Sequence, residues 1–521
     1  MTDARLHRHL GTVLERVALG PDRHRVAVVF DGATRDFAEL HENALHIASG
    51  LREIGIQRGD RVGVLLRNGF EWVELLFGIA HSGAVAVPVN VLLGPVEIEQ
   101  LCEDAQLSGF VVDEGGWSHY ERLETKPEIL VTVGASFDFV QGVRATTYAD
   151  LLLTAAGPLP DGPSLDDPLI FYYTSGTTGL PKASVHTHNG MLWNSYHQIP
   201  DLGIGPDEVC LVVPSLSWAA GFNDLMLATM WMAGRSVIMP TGGVTIDRVV
   251  EAIEEHGVTS LLLVPTLLKQ LIRRPDLEER LRATSLRSIL TGSEPVPLPV
   301  IEHLVEALPM ASMLQGFGLS EFPTIATMLR PEEAISHVGT AGRACSITRI
   351  AVMTADGRIE DEGEGEVLLR SMATMSGYWN RPEETAAAFT DGWLHTGDVG
   401  TIDAEGFLTI TGRKKDMIIS GGLNVYPSEI EAVLHRMPGV KEASVVGVPD
   451  ERWGEIPVAV IVSDGHLDED SVLAYCATQL AGYKRPRRVL QRQETLPRNP
   501  SGKILKREIT PWAIRTLEEN T

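Results

Sequence analysis

The sequence predicts an α/β protein: a large N-terminal portion of βα-built sheets, then a small α+β C-terminal domain. Three observations lead there. At 521 residues the chain is too long for one compact core. Over about the first 400 residues, short apolar runs alternate with stretches of helical period, as in βα units. At 411–416 the alternation breaks, where a charged TGRKKD follows the strand-like FLTI and precedes MIISGGLNVYP.

The elements follow in order. Residues 61–66 read as a strand, 70–81 as an amphipathic helix and 84–89 as the next strand. Further on, 209–213, 258–264 and 286–290 read as strands. Residues 247–256 form a helix stopped by Gly257, and 267–274 another. Strands joined by helical crossovers pair in parallel. In the C-terminal part, Ser428 and Glu431 have the spacing of a capping box at a helix start. Residues 443–448 and 457–462 are strands, and 470–480 a helix. The junction falls at 414–415, giving an N-terminal portion of 1–413 and a C-terminal domain of 416–521.

Composition narrows the function. Hydrophobic residues make up 44% and charged residues 22%, as in a globular protein. The N-terminus has no apolar leader and no apolar run approaches ~18 residues, so neither a secretory signal nor a membrane span is expected. Cys102, Cys210, Cys345 and Cys476 are widely spaced, which fits reduced, buried thiols in a cytoplasmic protein. A net charge of −25 repels nucleic acid and anionic lipid. The charge is uneven. From 484 to 507 stand Lys484, Arg485, Arg487, Arg488, Arg492, Arg498, Lys503, Lys506 and Arg507, against Glu494 alone. That tract is either a solvated basic face or a docking surface for an acidic partner such as a carrier protein.

The chemistry centres on YYTSGTTGLPK at 172–182. Its backbone N–H groups, the hydroxyls of Thr174, Ser175, Thr177 and Thr178, the flexible Gly176 and the cation of Lys182 make a cradle for phosphate oxygens. It is not a Walker A loop, which needs Gly directly before Lys where this chain has Pro181. Four more strings follow in order: QGFGLSE (315–321), WLHTGDVG (393–400), GRKKDMIISGGLNVYPSEIE (412–431) and NPSGKILKRE (499–508).

Together these five strings resemble the adenylate-forming superfamily of acyl- and aryl-CoA ligases, peptide-synthetase adenylation domains and luciferases. The resemblance covers nearly the whole chain. It implies the adenylate-forming fold with a mobile C-terminal domain, and ATP and Mg²⁺ as cofactors. It also implies a two-step reaction: a carboxylate joins ATP with loss of pyrophosphate, then a pantetheine thiol takes the acyl group. An anion attacking a polyanion needs positioning and positive charge. The 174–182 loop would hold the β and γ phosphates, and Lys503 would bridge the carboxylate and the α-phosphate. Glu321 would bind Mg²⁺, and Ser320 would contact phosphate. Asp398 would accept both ribose hydroxyls, with Arg413 beside it. Phe317, flanked by Gly316 and Gly318, would stack on adenine, with Gly292, Glu294 and Pro295 as the opposite wall. Lys415 stands at the family's hinge position, and Gly421 and Gly422 would line the thiol tunnel.

The family's acyl pocket follows the strand at 209–213, here as PSLSWAAGFNDLML. Its Asp224 lies in an apolar, helix-like run. A buried carboxylate without a partner is costly, and a substrate ammonium would pair with it. With Ser293 it resembles the stand-alone β-amino-acid adenylation enzymes of macrolactam polyketide pathways, which charge a discrete phosphopantetheinylated acyl carrier protein. Trp218, Ala219, Ala220, Gly221, Phe222, Phe322, Ile325 and Met328 would make the rest of the pocket apolar. The expected substrate is thus a β-amino acid with an apolar side chain. The alternative is an acyl- or aryl-CoA ligase using free coenzyme A, which keeps every nucleotide contact but gives Asp224 no task.

Overall fold

The structure is a computed structural model and describes residues 9–134, 142–157, 159, 162–174, 182–292, 296–498 and 504–519. The chain forms two compact units. One comprises Met1–Ile350, Leu369–Leu394 and Gly406–Leu408; the other comprises Ala351–Leu368, His395–Glu405 and Thr409–Thr521. The second unit thus takes in three stretches ahead of the 414–415 junction, the last being 409–413.

The first unit carries two large sheets. One has nine strands in the order Arg343–Ala344, Phe322–Leu329, Ser312–Leu319, Ser288–Thr291, Ser260–Leu262, Val209–Val212, Arg235–Ile238, Val26–Phe30, Ala33–Asp36. From Ser312–Leu319 through Val26–Phe30 every pairing is parallel, and the flanking pairings are antiparallel. The other has eight strands in the order Gly377–Tyr378, Lys182–Thr187, Pro168–Thr174, Val85–Pro88, Arg61–Leu65, Gly109–Asp113, Ile129–Val133, Arg144–Thr147. The expected strands and helices are present within a few residues of their sequence bounds. The helix Phe70–Ser82, which joins the adjacent parallel strands Arg61–Leu65 and Val85–Pro88, is not the amphipathic helix expected: every residue but Glu71 is buried. Ile246–His256 buries only Ile246, Val249, Val250 and Ile253, a single stripe, and stops at Gly257.

The second unit holds a five-stranded sheet in which Val440–Asp450, at one end of the strand order, pairs antiparallel with Gly454–Ser463. The period of two divides their side chains. Ala443, Val445, Ala459 and Ile461 pack with Ile430, Val433 and Val472 from two helices. Val446, Val448, Val458 and Val460 pack with Ile509 and Ala513 from the Lys506–Glu519 helix. The capping box expected at Ser428 and Glu431 does not form. Tyr426 is the N-cap of Pro427–Leu434 and makes no side-chain cap. Ser428 Oγ instead donates to the Thr411 carbonyl, and Glu431 Oε1 accepts from Val445 N at 2.7 Å and pairs with Lys506 at 2.8 Å. Tertiary partners outbid the local motif, and Pro427 at the first turn needs no cap for its missing N–H.

No helix among the described residues is long and apolar enough to cross a membrane. All four cysteines are buried and unpaired, and burial pushes their thiols above the usual value.

Four histidines cluster under the N-terminal segment of the first unit. The His9 ring lies 4.7 Å from His81 and 6.0 Å from His188, and His41 lies 5.7 Å from His81. Leu10 N donates to His188 Nδ1 at 3.1 Å. Burial, and then repulsion by neighbouring imidazoles, pushes His9 down to about 4 and His188 to about 3. His41 and His81 are also lowered, and burial alone takes the separate His186 to about 4. These side chains are neutral when folded, yet each takes a proton below its ordinary value of 6.5 once unfolded. Stability present above that pH is lost as pH falls through the window toward 4, at up to about 1.4 kcal/mol per pH unit for each of His9, His186 and His188. Glu74, raised by burial to about 7, and Asp224, raised well above its usual value by burial, oppose the trend. Five histidines outnumber two carboxyls, so the melting temperature should fall steeply from pH 6.5 to 4.5. Thermal melts across that range check this, and a flat profile would contradict the burial of neutral imidazoles.

Candidate active site

The site residues of the first unit gather at the carboxyl ends of its parallel strands, where α/β sheets bind ligands. The Ser288–Thr291 strand runs out at Gly292, beside the longer Ser312–Leu319 strand, with Thr291 opposite Gln315. A Cβ on Gly292 would stand 2.7 Å from the Gly316 carbonyl oxygen. Gln315 through Ser320 are all half-buried, so Gly316, Phe317 and Gly318 border open space. At Gly318 a Cβ would overlap the Thr324 oxygen at 1.4 Å; only glycine lets the Phe322–Leu329 strand return so closely. The Ser320 carbonyl accepts from His186 Nε2 at 2.8 Å and Ser184 Oγ at 3.2 Å, which pins the turn into Glu321.

Glu321 is half-buried. Its Oε1 accepts from the Tyr378 hydroxyl at 2.9 Å, and Oε2 has no partner among the described residues. Burial and the neighbouring carboxylate hold the Tyr378 phenol well above its ordinary value, so it stays a donor. Lys182 opens the Lys182–Thr187 strand opposite Thr174, the last residue of Pro168–Thr174. Its Nζ lies 3.9 Å from Glu384 Oε1 and 5.5 Å from the Tyr378 ring centroid. The loop residues Ser175, Gly176, Thr177, Thr178 and Pro181 fall outside the described residues, as do Ser293, Glu294, Pro295 and Lys503.

On the acyl side the chain departs from the expected helix. Asp224 sits between two short helices, Ala219–Asn223 and Met226–Trp231, because Leu225 adopts φ +65° and breaks the run. Asp224 is 6% exposed, accepts from Thr324 Oγ1, and pairs with no basic side chain among the described residues. Burial raises its carboxyl well above the usual range. Trp218, Ala219 and Ala220 are half-buried. Gly221 is a packing glycine, since a Cβ there would meet the Ser215 carbonyl at 2.0 Å. Phe222 is fully buried against Trp72 and Phe77. Ile325 and Met328 belong to the same core cluster, and Phe322 to a smaller one.

The second unit holds a separate set. Asp398, on the Trp393–Ile402 strand, is 3% exposed, and its Oδ1 pairs with Arg413 Nε at 2.8 Å. The buried Glu366 accepts from Lys414 at 2.8 Å and lies 3.1 Å from His395 Nδ1. Lys415 is exposed in the 3-10 turn Lys414–Asp416. Gly421 and Gly422 both have positive φ. Five cations of the basic tract pair with carboxylates of their own unit. Lys484, Arg488, Arg492, Arg498 and Lys506 pair with Glu429, Glu469, Glu494, Glu442 and Glu431.

Sequence reading passed over Tyr378, Glu384, Thr324 and Glu366. The first two stand in GYWNRPEET (377–385), a string resembling none of the ones singled out. Their partners lie 57 and about 200 residues away, beyond any local pattern.

The comparison with known families decides the assignment. Residues 14–379 match the AMP-binding enzyme model, and 429–503 match the AMP-binding enzyme C-terminal domain. The chain belongs to the AMP-binding enzyme family. It is 38% identical to the long-chain-fatty-acid–CoA ligase FadD13 of Mycobacterium tuberculosis, over 90% of this chain and 91% of that one. It is 35% identical to a feruloyl-CoA synthase of Amycolatopsis, over 95% and 97%. The solved o-succinylbenzoate CoA synthetase of Bacillus subtilis, in complex with its acyl-adenylate, superposes with a TM-score of 0.83 at 29% identity, covering 96% of this chain and 98% of that one.

The ligase therefore has the adenylate-forming fold and is an ATP-dependent, AMP-forming acid–thiol ligase acting on a small carboxylic acid. Its cofactors are ATP and Mg²⁺. The residues present fit the metal: the half-buried Glu321 has one carboxylate oxygen without a partner among the described residues, the hard anionic donor that would hold Mg²⁺. A metal held by Glu321 would supply positive charge to offset that of the phosphates.

Proposed function

We propose that the ligase activates a β-amino acid with an apolar side chain and passes it to the phosphopantetheine thiol of an acyl carrier protein. In the first step a substrate carboxylate oxygen bonds to the α-phosphorus of ATP and pyrophosphate leaves. In the second, the thiol sulfur bonds to the acyl carbon and AMP leaves. Lys182 and the 174–181 loop hold the leaving phosphates, Glu321 supplies the metal ligand, and Lys503 offsets charge between the two reacting anions. Asp398 and Arg413 serve the ribose, and Phe317 with Gly292 the adenine.

The observation that carries this reading is Asp224. It is a buried carboxyl, hydrogen-bonded by one hydroxyl and lacking a cation among the described residues. An ammonium on the substrate supplies the missing charge and restores the ionised form. Trp218, Ala219 and Ala220 leave an apolar border for the side chain. Pyrophosphate exchange across β-amino acids, α-amino acids and plain acids tests it. Best turnover is expected with a β-amino acid, and a preference for the matched acid without nitrogen would remove the reading.

A second reading, an acyl- or aryl-CoA ligase using free coenzyme A, is favoured by the CoA-ligase names of the relatives and by the internal pairing of the basic tract. Competition between coenzyme A and a phosphopantetheinylated carrier for the preformed adenylate separates the two.

A further inference from the structure

We propose that Tyr378 is a positioning residue for the magnesium-binding carboxylate of Glu321. The inference rests on Glu321 being the metal ligand. Tyr378 comes from the short strand Gly377–Tyr378, at the edge of the eight-stranded sheet and in register with Ser184. Its hydroxyl donates to Glu321 Oε1 at 2.9 Å, across 57 residues of chain.

The tyrosine is itself held rigidly. Tyr378 N donates to Thr385 Oγ1 at 2.9 Å. Gly377 lets the strand lie against that threonine, since a Cβ there would stand 2.6 Å from Thr385 Cγ2. The next ring, Trp379, packs on Phe171 with centroids 5.1 Å apart, and Arg381 is tied to Asp104.

A glutamate side chain has three torsions, and a metal needs its carboxylate in one orientation. A single fixed donor on Oε1 restricts the rotation of the group and leaves Oε2, which has no partner among the described residues, for the ion. It also takes up one lone pair that would otherwise select water or a different rotamer. Partners of this kind commonly change metal affinity by roughly 10–100-fold. The same segment carries Glu384, whose carboxylate lies 3.9 Å from Lys182 Nζ. Residues 377–385 therefore reach both the metal ligand and the phosphate lysine.

The test is ATP binding by calorimetry without acid substrate, so that nothing turns over, in Mg²⁺ and in EDTA. The ratio of the two dissociation constants is the metal-dependent gain. In Tyr378→Phe that gain should fall about tenfold, with metal-free ATP binding held within about twofold. Tyr378→His, which keeps a ring and an N–H donor, should stay within about threefold of wild type. It carries the comparison alone if the phenylalanine variant does not fold; a tenfold loss there would count against the donor role. Equal weakening of ATP with and without metal in Tyr378→Phe would make Tyr378 a structural residue and overturn the proposal. Glu321→Gln separates the premise. If it leaves the gain intact, Glu321 is not the ligand. If it abolishes the gain while Tyr378→Phe does not, only the positioning role is lost.

Discussion

Asp224→Asn should lower kcat/KM for the preferred β-amino acid by about 10²–10³-fold while changing activity toward the matched acid without nitrogen by less than about threefold. Removing one partner of a buried, hydrogen-bonded charge pair typically costs about 3–5 kcal/mol, because the other charge is left without compensation. Asparagine keeps the size of the side chain and an acceptor for Thr324 Oγ1, so the change is mainly one of charge. The pH profile gives a second handle. Burial holds the free carboxyl well above its usual value, and an ammonium can pair only with the ionised form. Activity toward the amino acid should therefore drop as pH falls through that raised value, and the asparagine variant should lose this limb. Steady-state kinetics with both substrates at several pH values measures all three effects.

Lys503→Ala should slow adenylate formation by about 10²–10³-fold, the order seen when one charge-stabilising donor is removed from an active site. Two anions approach each other in this step, and in the role proposed for Lys503 its ammonium would act mostly in the transition state. The effect should thus fall on kcat more than on the KM for ATP. The second half-reaction forms no new anion–anion contact. Transfer from a chemically supplied adenylate to the thiol should stay within about threefold of wild type. A Lys503→Ala enzyme that forms adenylate at the normal rate would remove the lysine from the mechanism.

Much of the architecture was legible because it rests on local regularities. The strand Arg61–Leu65 announces itself by a short apolar run, and the helices Phe70–Ser82 and Ile246–His256 by apolar residues at helical spacing, each ended by a glycine. What failed were inferences in which a tertiary partner overrode a local motif. Ser428 and Glu431 have capping-box spacing but bond Thr411 and Val445. The apolar run around Asp224 reads as one helix, but Leu225 turns to positive φ and divides it. The basic tract is a different case: Glu429, Glu431, Glu442 and Glu469 lie outside 484–507, so these pairings show only once the chain is folded. At the site, resemblance singled out Glu321 and Lys182, whereas the groups that hold them, Tyr378 and Glu384, show themselves only once the sheet edge is folded.

The most direct measurement is a crystal structure with a non-hydrolysable β-aminoacyl-adenylate analogue. The account predicts the substrate nitrogen about 3 Å from an Asp224 carboxylate oxygen, with the side chain beside Trp218 and Ala220. An amine turned toward solvent, with Asp224 still bonded only to Thr324, would contradict it.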